Sequence, residues 1–588
     1  MYLFPESASI TDIQARYVNK ESKEDRLHPI PFFFFGTPIL IGIYSKNLPD
    51  YWMEPGRSLI NLHPSSPRIT SHIDLFVAHR LTQTPNTFSF DEIYIIREAA
   101  IPDIVQMVHR ERSAFRIKLQ DKYKANLIEE YMSQYILSDE KINLIKRNFE
   151  KEFEDGLRRF DDTAPRDPNA RPDDPVIQDT STLGMKVTFF AEFFNGTENG
   201  DFIVIYLNRR YLMVMLAKVK PGFPVETQRD YFIVSENVRR SPYIKIYEYI
   251  CDCLLAFLSK LNLLNETHIV GFCSDFPIIQ LGIDDGTVWY FTESASDFPL
   301  NCYNIRQCFE MVLLRERYHA VKIELVAILN NNTSMYINSC YLFGEIDMFL
   351  NFVDDCDLLY CENTSKIKKW NVLNIAERIL IDTELRNFGG NGGLDFIASD
   401  LERLAVTTSV TTDKRATLKK FVSEQYILEE IKYILVDLYH KLLYCRNTSI
   451  EKLQTEGVSV MELCSFTDAK ELEHLARLLP GGTTGGSIDD AKIALYVIKI
   501  VLVRAAVLIS MCISRVMSRF LKEDFIIVVN YPLLRKHPDY ETYIRNVTMK
   551  FMPEKKFQIL WAEDSFNLNG AALATALAHR LDRKKLHF

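Results

Sequence analysis

The sequence lacks several features that would assign it to a functional class at once. Its eleven cysteines include no C-x-x-C pair, so neither a zinc site nor a disulfide framework is indicated, and a reducing compartment is favoured. Basic residues are not in excess, because 69 Lys and Arg face 78 Asp and Glu, and the net charge is −9 at pH 7. A nucleic-acid binder or a polybasic membrane anchor would carry a basic surface, so the sequence argues against both.

Segments that mark secreted or membrane proteins are also missing. The start, MYLFPESASI, has neither the basic flank nor the long apolar run of a secretory signal. Residues 30–44 are apolar, but two prolines interrupt them and they are shorter than the roughly 18 to 20 residues that a span needs. Residues 491–517 are long enough, yet four basic residues recur through them, which favours a buried core helix. We expect no membrane span and a cytoplasmic location.

What is present indicates a large α/β protein. The 588 residues are 47% hydrophobic and 25% charged, which is typical of a globular chain with two or more domains. Residues 121–160 carry apolar side chains at three- and four-residue steps, which predicts a helix. Residues 161–184, with four prolines and six aspartates, predict a linker. Short β-rich runs such as residues 201–219 then alternate with helical segments, and this pattern favours α/β layers.

Three consecutive asparagines end one of the predicted strands. The stretch ELVAILNNNTS opens as a buried strand and continues into Asn330, Asn331 and Asn332. Strand ends are where α/β enzymes place their working groups, but an asparagine side chain cannot take or give a proton at physiological pH. Because Asn tolerates left-handed backbone geometry, we interpret the run as a turn signal.

Seven stretches resemble motifs of the eukaryotic hexokinases, in the order of that family. They are YILSDEKINLIKRNFEKEFEDGL, similar to the family's N-terminal helix; MKVTFFAEFFNGTENGDFIVIYL, similar to DGTE-GDF-A-DLGGTN; VGFCSDFPI, similar to GFTFSFP; ELVAILNNNTS, similar to DVVAVVNDTVG; ILIDTELRNFGGNGGLD, similar to INTEWGAFGDDG-L; VVNYPLLRKHPDYETYI, similar to GVDGSLYKTHP; and WAEDSFNLNGAALATALAHRL, similar to LSEDGSGKGAALITAV-RL. The resemblance covers about residues 120 to 588, and residues 1 to about 115 have no counterpart in it.

This resemblance implies two α/β domains of the actin and sugar-kinase type, with glucose and ATP meeting in the cleft between them. The predicted division is an N-terminal extension at 1–115, a helix and linker at 116–185, a small domain at 186–330 and a large domain at 331–588, whose final helix returns to the small domain.

By the same resemblance, the catalytic and first phosphate-binding positions have changed. Asn331 stands where the family has its catalytic aspartate, so we predict no catalytic residue there. In the first phosphate loop, DLGGTN, the metal-associated aspartate becomes Tyr206, and the glycines that let backbone approach phosphate are lost. We interpret Asn208, Arg209 and Arg210 as an ordinary hairpin turn.

The second phosphate loop, GTGSN in the family, aligns with VDDCD at residues 353–357. Carboxylates such as Asp354 and Asp355 would repel a triphosphate rather than hold it. A solvated acidic turn is favoured over a new metal site. By contrast, His537, Pro538 and the GAAL that begins at Gly570 match the family and are interpreted as scaffold positions.

The sugar-binding positions are half preserved. Those that match family glucose contacts are Asn330, Glu384 and Thr292, and those that depart from the family are Asp275, Glu293 and Lys419. The departures exchange hydrogen-bond donors for acceptors around a neutral ligand, and a site built to bond hydroxyls discriminates steeply when its partners change. Glucose binding is therefore not favoured, and Glu384 is open to interpretation as a structural carboxylate.

The pattern favours a hexokinase-like protein that has lost catalysis and serves as a structural or interaction component. We predict no cofactor and no metal, since ATP and Mg²⁺ are implied by the resemblance alone. A divergent ATP-dependent hexose kinase and a non-catalytic sugar sensor remain alternatives. Residues 1–115 are too apolar to stay solvated, so we expect them either to bind a protein partner or to cover the body as an extra layer.

Overall fold

The protein is described here by a computed structural model. It describes residues 115–158, 181–239, 241–288, 304–353, 355–368, 376–403, 415–451, 459–466, 471–480, 486–562 and 568–585, together with the backbone of 30–34 and 37–41. The predicted linker lies mostly outside these residues, and so does nearly all of the predicted N-terminal extension.

The chain divides into two compact units, and the first comprises residues 1–133 and 400–414. Its described strands are β1 (Ile30–Phe34) and β2 (Thr37–Ile41), which pair antiparallel. Its helix α1 (Lys122–Met132) is capped by Asp121, whose side chain accepts hydrogen bonds from the first turn.

The second unit comprises residues 134–399 and 415–588. Its elements are α2 (Asp139–Arg158), β3 (Lys186–Val187), β4 (Gly200–Leu207), β5 (Tyr211–Val219), β6 (Glu226–Ile233), α3 (Glu236–Arg239), α4 (Tyr243–Lys260), β7 (Thr267–Ser274), β8 (Ile278–Gln280), β9 (Gly286–Val288), α5 (Ile305–Leu313), β10 (Lys322–Asn330), α6 (Asn331–Phe343), β11 (Met348–Asn351), β12 (Asp357–Asn363), β13 (Arg378–Asp382), α7 (Leu418–Val422), α8 (Glu424–His440), α9 (Val460–Leu463), α10 (Leu472–Leu478), α11 (Ile488–Met517), β14 (Asp524–Asn530), α12 (Pro532–Lys536), α13 (Tyr540–Phe551), β15 (Lys556–Trp561) and α14 (Asn569–Lys585).

The single helix predicted over residues 121–160 is wrong in one respect, because two helices occupy this stretch. The first ends where the hydroxyl of Ser133 donates to the carbonyl of Glu130, at 2.6 Å. A second helix starts after Ser138, whose hydroxyl accepts from the N–H of Lys141 at 3.3 Å. These serines satisfy backbone groups that a continuous helix would bond within itself.

The first sheet of this unit has the strand order β10-β7-β4-β5-β6, with β4, β7 and β10 parallel and β5 and β6 antiparallel. Alternate side chains of β4 point to opposite faces. Ile203 and Ile205 join the core formed with α4 and α5, whereas Phe202 and Val204 join the core formed with α6 and α14. Because helices cover both faces of this sheet, nearly all side chains of β4 are apolar.

The second sheet has the order β15-β14-β11-β12-β13-β3, in which β11, β14 and β15 are parallel and the other strands antiparallel. Its Phe349, Leu359 and Leu380 belong to the buried cluster that also holds α6 and α14. Gly570 at the start of α14 permits this packing, because a Cβ there would lie 1.8 Å from the carbonyl oxygen of Ser334 on α6. One core thus joins the two sheets through this helix pair.

Helix α11 contains the apolar stretch that was predicted to be a core helix, and that prediction is confirmed. Among the described residues, α11 alone is long and apolar enough to cross a membrane, but 78% of its apolar window is buried within the protein. Ser487 and Asp490 form a capping box at its start. Inside the core, Arg504 donates to Glu430 at 2.6 Å.

Candidate functional site

The candidate site begins at one edge of the first sheet, where three parallel strands end in register. Leu207 of β4 is opposite Ser274 of β7, which is opposite Asn330 of β10. The carboxyl ends of parallel strands are where α/β proteins bind ligands. The residues that follow these three strand ends are the predicted positions Asn208, Asp275 and Asn331.

The turn after β4 is the predicted hairpin, and this prediction is confirmed by the pairing of β4 with β5. The side-chain oxygen of Asn208 accepts from the backbone N–H groups of Arg210 and Tyr211, each at 2.8 Å. Arg209 and Arg210 are exposed. The turn therefore bonds two of its own N–H groups internally, in a loop without glycine.

Two of the changed positions interact directly. The hydroxyl of Tyr206 donates to Asp275 at 2.7 Å, although the tyrosine is only 4% exposed. Burial and the Asp275 carboxylate raise the pKa of Tyr206 well above its ordinary value, so this hydroxyl stays protonated and donates. Two positions that the resemblance assigns to a metal-associated aspartate and a sugar-binding serine are thus bonded to each other in this protein.

The asparagine run begins a helix, so its interpretation as a left-handed turn is wrong. Asn330 has an extended backbone, with φ −86° and ψ 166°, and its side-chain oxygen accepts from the N–H of Thr333 at 2.8 Å. This is an N-cap, which Asn provides by bonding an otherwise unpaired N–H. The next residue, Asn331, has a buried side-chain oxygen with no hydrogen-bond partner in the described structure.

A chain of amides links the second sheet to this helix start. Asn530, at the end of β14, donates to Asn351 at 3.0 Å, and Asn351 donates to Asn332 at 2.8 Å. Asn332 donates in turn to the carboxylate of Asp357 at 2.7 Å. These hydrogen bonds link the ends of β14, β11 and β12 to the first turn of α6. They hold the side chains at this edge of the second sheet in place.

The acidic loop at 353–357 is partly buried, so the prediction of a solvated turn is wrong. Arg386 lies 2.7 Å from Asp355 and 3.2 Å from Asp357, whose side chain is fully buried. Lys419, at 3.9 Å, is a second cation beside Asp355. The carboxylates can be buried because these cations pair with them. Asp354 lies outside the described residues, as do Thr292 and Glu293 of the predicted sugar site.

Glu384, which matches a family glucose contact, is engaged by the protein's own cations. Lys186 contacts it at 2.8 Å and Arg386 at 3.5 Å. Glu384 adopts a left-handed backbone, with φ 51°, and Gly184 makes room for it, since a Cβ on Gly184 would lie 2.0 Å from its carboxylate. Next to it, Asp382 accepts from Asn330 at 2.7 Å.

We call these connected residues the strand-end cluster: Lys186, Asn330, Asn332, Asp355, Asp357, Asp382, Glu384, Arg386 and Lys419.

The electrostatics divide the four carboxylates of the cluster into two kinds. Burial opposes the ionisation of Asp355 and Glu384, but neighbouring cations outweigh it and hold the pKa of each below its usual value. Burial, together with the Glu384 carboxylate, raises the pKa of Asp382 to about 6. Burial also raises the pKa of Asp357 well above its usual range. Two carboxylates are therefore held ionised, and the other two retain a proton to a higher pH.

Sequence reasoning missed three members of the cluster: Lys186, Asp382 and Arg386. A signal for two of them was present, since the family phrase INTEWGAF reads IDTELRNF here, with a carboxylate and a guanidinium at changed positions. Lys186 carried no such signal. Its role depends on the pairing of β3 with β13, which places it opposite Asp382.

Family comparisons agree with this arrangement of strands and helices. Two models described as hexokinase match residues 127–341 and 355–577, which include the first sheet and every strand of the second except β11. The chain belongs to the hexokinase family. Human hexokinase-3 is 25% identical over 466 residues, which cover 77% of this chain and 47% of that protein. The hexokinase of Brugia malayi is 24% identical over 469 residues, covering 78% of each chain.

Solved structures of hexokinases show the same fold. The hexokinase of Schistosoma mansoni, solved as a complex with glucose, aligns with a TM-score of 0.62 at 19% identity and covers 78% of this chain and 100% of its own. A second hexokinase structure aligns with a TM-score of 0.60. The predicted two-domain α/β sugar-kinase fold is confirmed. The match spans only about half the length of human hexokinase-3 and of mouse hexokinase-1, at 47% and 45%.

Proposed function

We propose that this member of the hexokinase family does not transfer phosphate and serves as a structural or interaction component. The observation that carries the proposal is the set of ion pairs around Arg386. At the position of the second phosphate loop, Asp355 and Asp357 are paired with this guanidinium. A triphosphate at this loop would face carboxylates, and the nearest guanidinium is already engaged by them.

The residues present do not fit Mg·ATP. A phosphate loop offers free backbone N–H groups, but the side chain of Asn208 already bonds those of Arg210 and Tyr211. Tyr206 places a phenol where the family has a metal-associated aspartate. Among the described residues, no group of three or more His, Cys, Asp or Glu side chains is arranged to hold a metal ion. We therefore derive no reaction step through Mg·ATP.

Direct assay tests the proposal. We expect no phosphoryl transfer to glucose, fructose or mannose, whereas turnover at ordinary enzyme rates, about 1 to 10³ s⁻¹, would refute it. Asn331→Asp should not restore activity, because the phosphate loops have also changed. Recovery of activity by that single change would show that the nucleotide site is intact. Thermal-shift titrations with Mg·ATP alone and with glucose alone would separate nucleotide binding from sugar sensing, with an active hexokinase as the positive control.

A divergent hexose kinase is the second candidate, and one observation favours it. Asp382 is a carboxylate with a pKa raised to about 6, and it accepts a hydrogen bond from Asn330, next to the family's catalytic position. A group with such a pKa suits general base catalysis. If activity is found, Asp382→Asn should abolish it, while Asp201→Asn, a change at an exposed carboxylate, should leave it unchanged.

The interaction role is proposed for residues 1–115, which have no counterpart in the family resemblance. A truncated protein that begins at residue 116 should remain soluble and monodisperse but lose the assemblies formed by the full chain. Retention of every assembly by the truncated protein would refute this assignment and favour a covering layer. The full chain, prepared in parallel, is the control.

A further inference from the structure

A polar cavity of about 440 Å³ lies in the second unit and shares no residue with the strand-end cluster. The C-terminal ends of α2 and α11 form it together with the turn that follows β12. Its volume falls within the range of small-molecule sites, roughly 300 to 1,000 Å³. All eight lining residues are polar, and five are basic: Glu154, Arg158, Ser365, Lys366, Lys368, Arg515, Ser518 and Arg519.

The two arginines at the end of α11 are partly neutralised. Arg515 contacts Glu150 at 3.1 Å and also pairs with Glu154. Arg519 pairs with Glu154 and with Glu362. The Nε of Arg515 is nevertheless buried without an acceptor. An unpaired buried donor costs free energy, and because this atom is closed off from solvent, it is the rest of the Arg515 side chain that lines the cavity.

Three further basic side chains line the cavity: Arg158, Lys366 and Lys368. Arg158 also acts on the Glu154 carboxylate, whereas the two lysines form no ion pair with a carboxylate in the described part of the chain. The ammonium of Lys366 donates to the carbonyl of Arg519 at 3.2 Å, which holds it beside that guanidinium. Among the residues that the structure describes, five basic side chains thus face three carboxylates, an excess of two positive charges.

Helix ends alone do not account for this excess. Arg158 and Arg515 occupy the last turns of α2 and α11, where basic side chains stabilise the negative end of the helix dipole. Lys366 and Lys368 come from a separate segment, a single 3₁₀ turn (Thr364–Lys366) that follows β12; three residues carry only a small dipole, and Lys368 lies beyond the end of that turn. Their convergence on the same cavity favours a ligand that carries negative charge.

We infer that this cavity binds a phosphate-type anion, either free in solution or on a lipid headgroup. Guanidinium and ammonium groups form their strongest hydrogen bonds with such oxyanions. The excess positive charge, and the polar character of every lining side chain in the described part of the chain, favour a small, highly charged ligand over a neutral sugar.

Binding is tested on the full-length protein by calorimetric titration with inorganic phosphate and with pyrophosphate, at ionic strength held constant with chloride. Vesicles of phosphatidylcholine, with and without phosphatidic acid, form the lipid arm. Saturable binding to the free anions identifies a soluble ligand, and binding to phosphatidic acid vesicles alone identifies the headgroup. Absence of binding in every arm refutes the inference.

The decisive variant is Lys366→Gln/Lys368→Gln, because both lysines are exposed and their loss leaves the core intact. Its matched control is Lys220→Gln/Lys322→Gln, which removes two exposed lysines elsewhere in the same unit. Affinity should fall about tenfold or more in the first variant and stay unchanged in the control. An equal loss in both variants, or no loss in either, refutes the assignment of the anion to this cavity.

Discussion

Replacing Arg386 with methionine tests the strand-end cluster most directly. The guanidinium is 28% exposed and contacts Asp355, Asp357 and Glu384. Methionine removes the charge and keeps an apolar side chain, so these carboxylates lose their shared cation. Removing one partner of a buried ion pair costs about 3 to 5 kcal/mol, because the other charge is left uncompensated. Since water reaches part of Arg386, we expect about 3 kcal/mol.

The decrease in the free energy of unfolding caused by Arg386→Met should depend on pH in a defined direction. In the native protein, Arg386 lowers the pKa of Asp355 and Glu384, so their stabilising contribution is present at neutral pH and lost as pH falls through the lowered pKa. In the variant, only Lys186 beside Glu384 and Lys419 beside Asp355 still oppose burial, so both pKa values should rise, and protonation at lower pH then relieves part of the penalty. The difference in stability should therefore be largest near pH 7 and shrink toward pH 4.

Thermal unfolding followed by circular dichroism across this pH range measures the effect. A loss of about 3 kcal/mol should lower the melting temperature by several degrees. Arg378→Met is the matched control. Arg378 lies on β13, the strand that precedes Arg386 in the sequence, and it forms an exposed ion pair with Glu345 at 3.1 Å. Exposed pairs contribute about 0 to 1 kcal/mol, so the control should change little. Equal melting temperatures for the two variants at pH 7, or a pH-independent difference, would refute the reasoning.

Three further predictions concern single side chains. Tyr206→Phe removes the buried hydroxyl that donates to the exposed Asp275 and should cost about 0.5 to 1.5 kcal/mol in denaturant unfolding, and an unchanged midpoint would contradict the pairing. Asp382→Asn removes a carboxyl whose pKa is raised from 3.8 to about 6, so the fall in native stability as pH rises from 4 through 6 should become shallower. An unchanged slope would assign that fall to other groups, such as Asp357. Gly570→Ala puts a methyl 1.8 Å from the carbonyl oxygen of Ser334 and should lower the free energy of unfolding by about 1 to 3 kcal/mol. A native-like melting temperature would show that α6 and α14 can move apart to accept the methyl.

Local patterns in the sequence were sufficient for much of the fold. Apolar runs at residues 201–219 and 491–517 predicted β structure and a core helix, and the structure has β4, β5 and α11 there. Burial on all sides leaves such a continuous apolar pattern. The order of the seven motifs predicted the family, which the comparisons confirm. The changed residues in the first phosphate loop predicted a hairpin, since turn chemistry is decided by a few adjacent side chains.

The outcome at residues 330–332 depended on tertiary structure. An asparagine run is compatible with a left-handed turn and with a helix N-cap, and both satisfy backbone groups through the same side chain. The backbone that follows decides between them, and here α6 packs into the core with α14. The N-cap was therefore selected by burial of a helix that begins after the asparagines.

The sequence by itself determined the family and the α/β class, because the motifs that carry them are short stretches of neighbouring residues. That the catalytic positions have changed is a prediction from the same resemblance. Only the tertiary structure decided the state of the changed side chains. Arg386, Lys186 and Lys419 come from separate segments and meet the carboxylates only when the strand ends converge. Whether a charged residue is solvated or buried depends on the partners that the fold brings within a few ångströms, since an unpaired charge in the interior costs far more than a paired one.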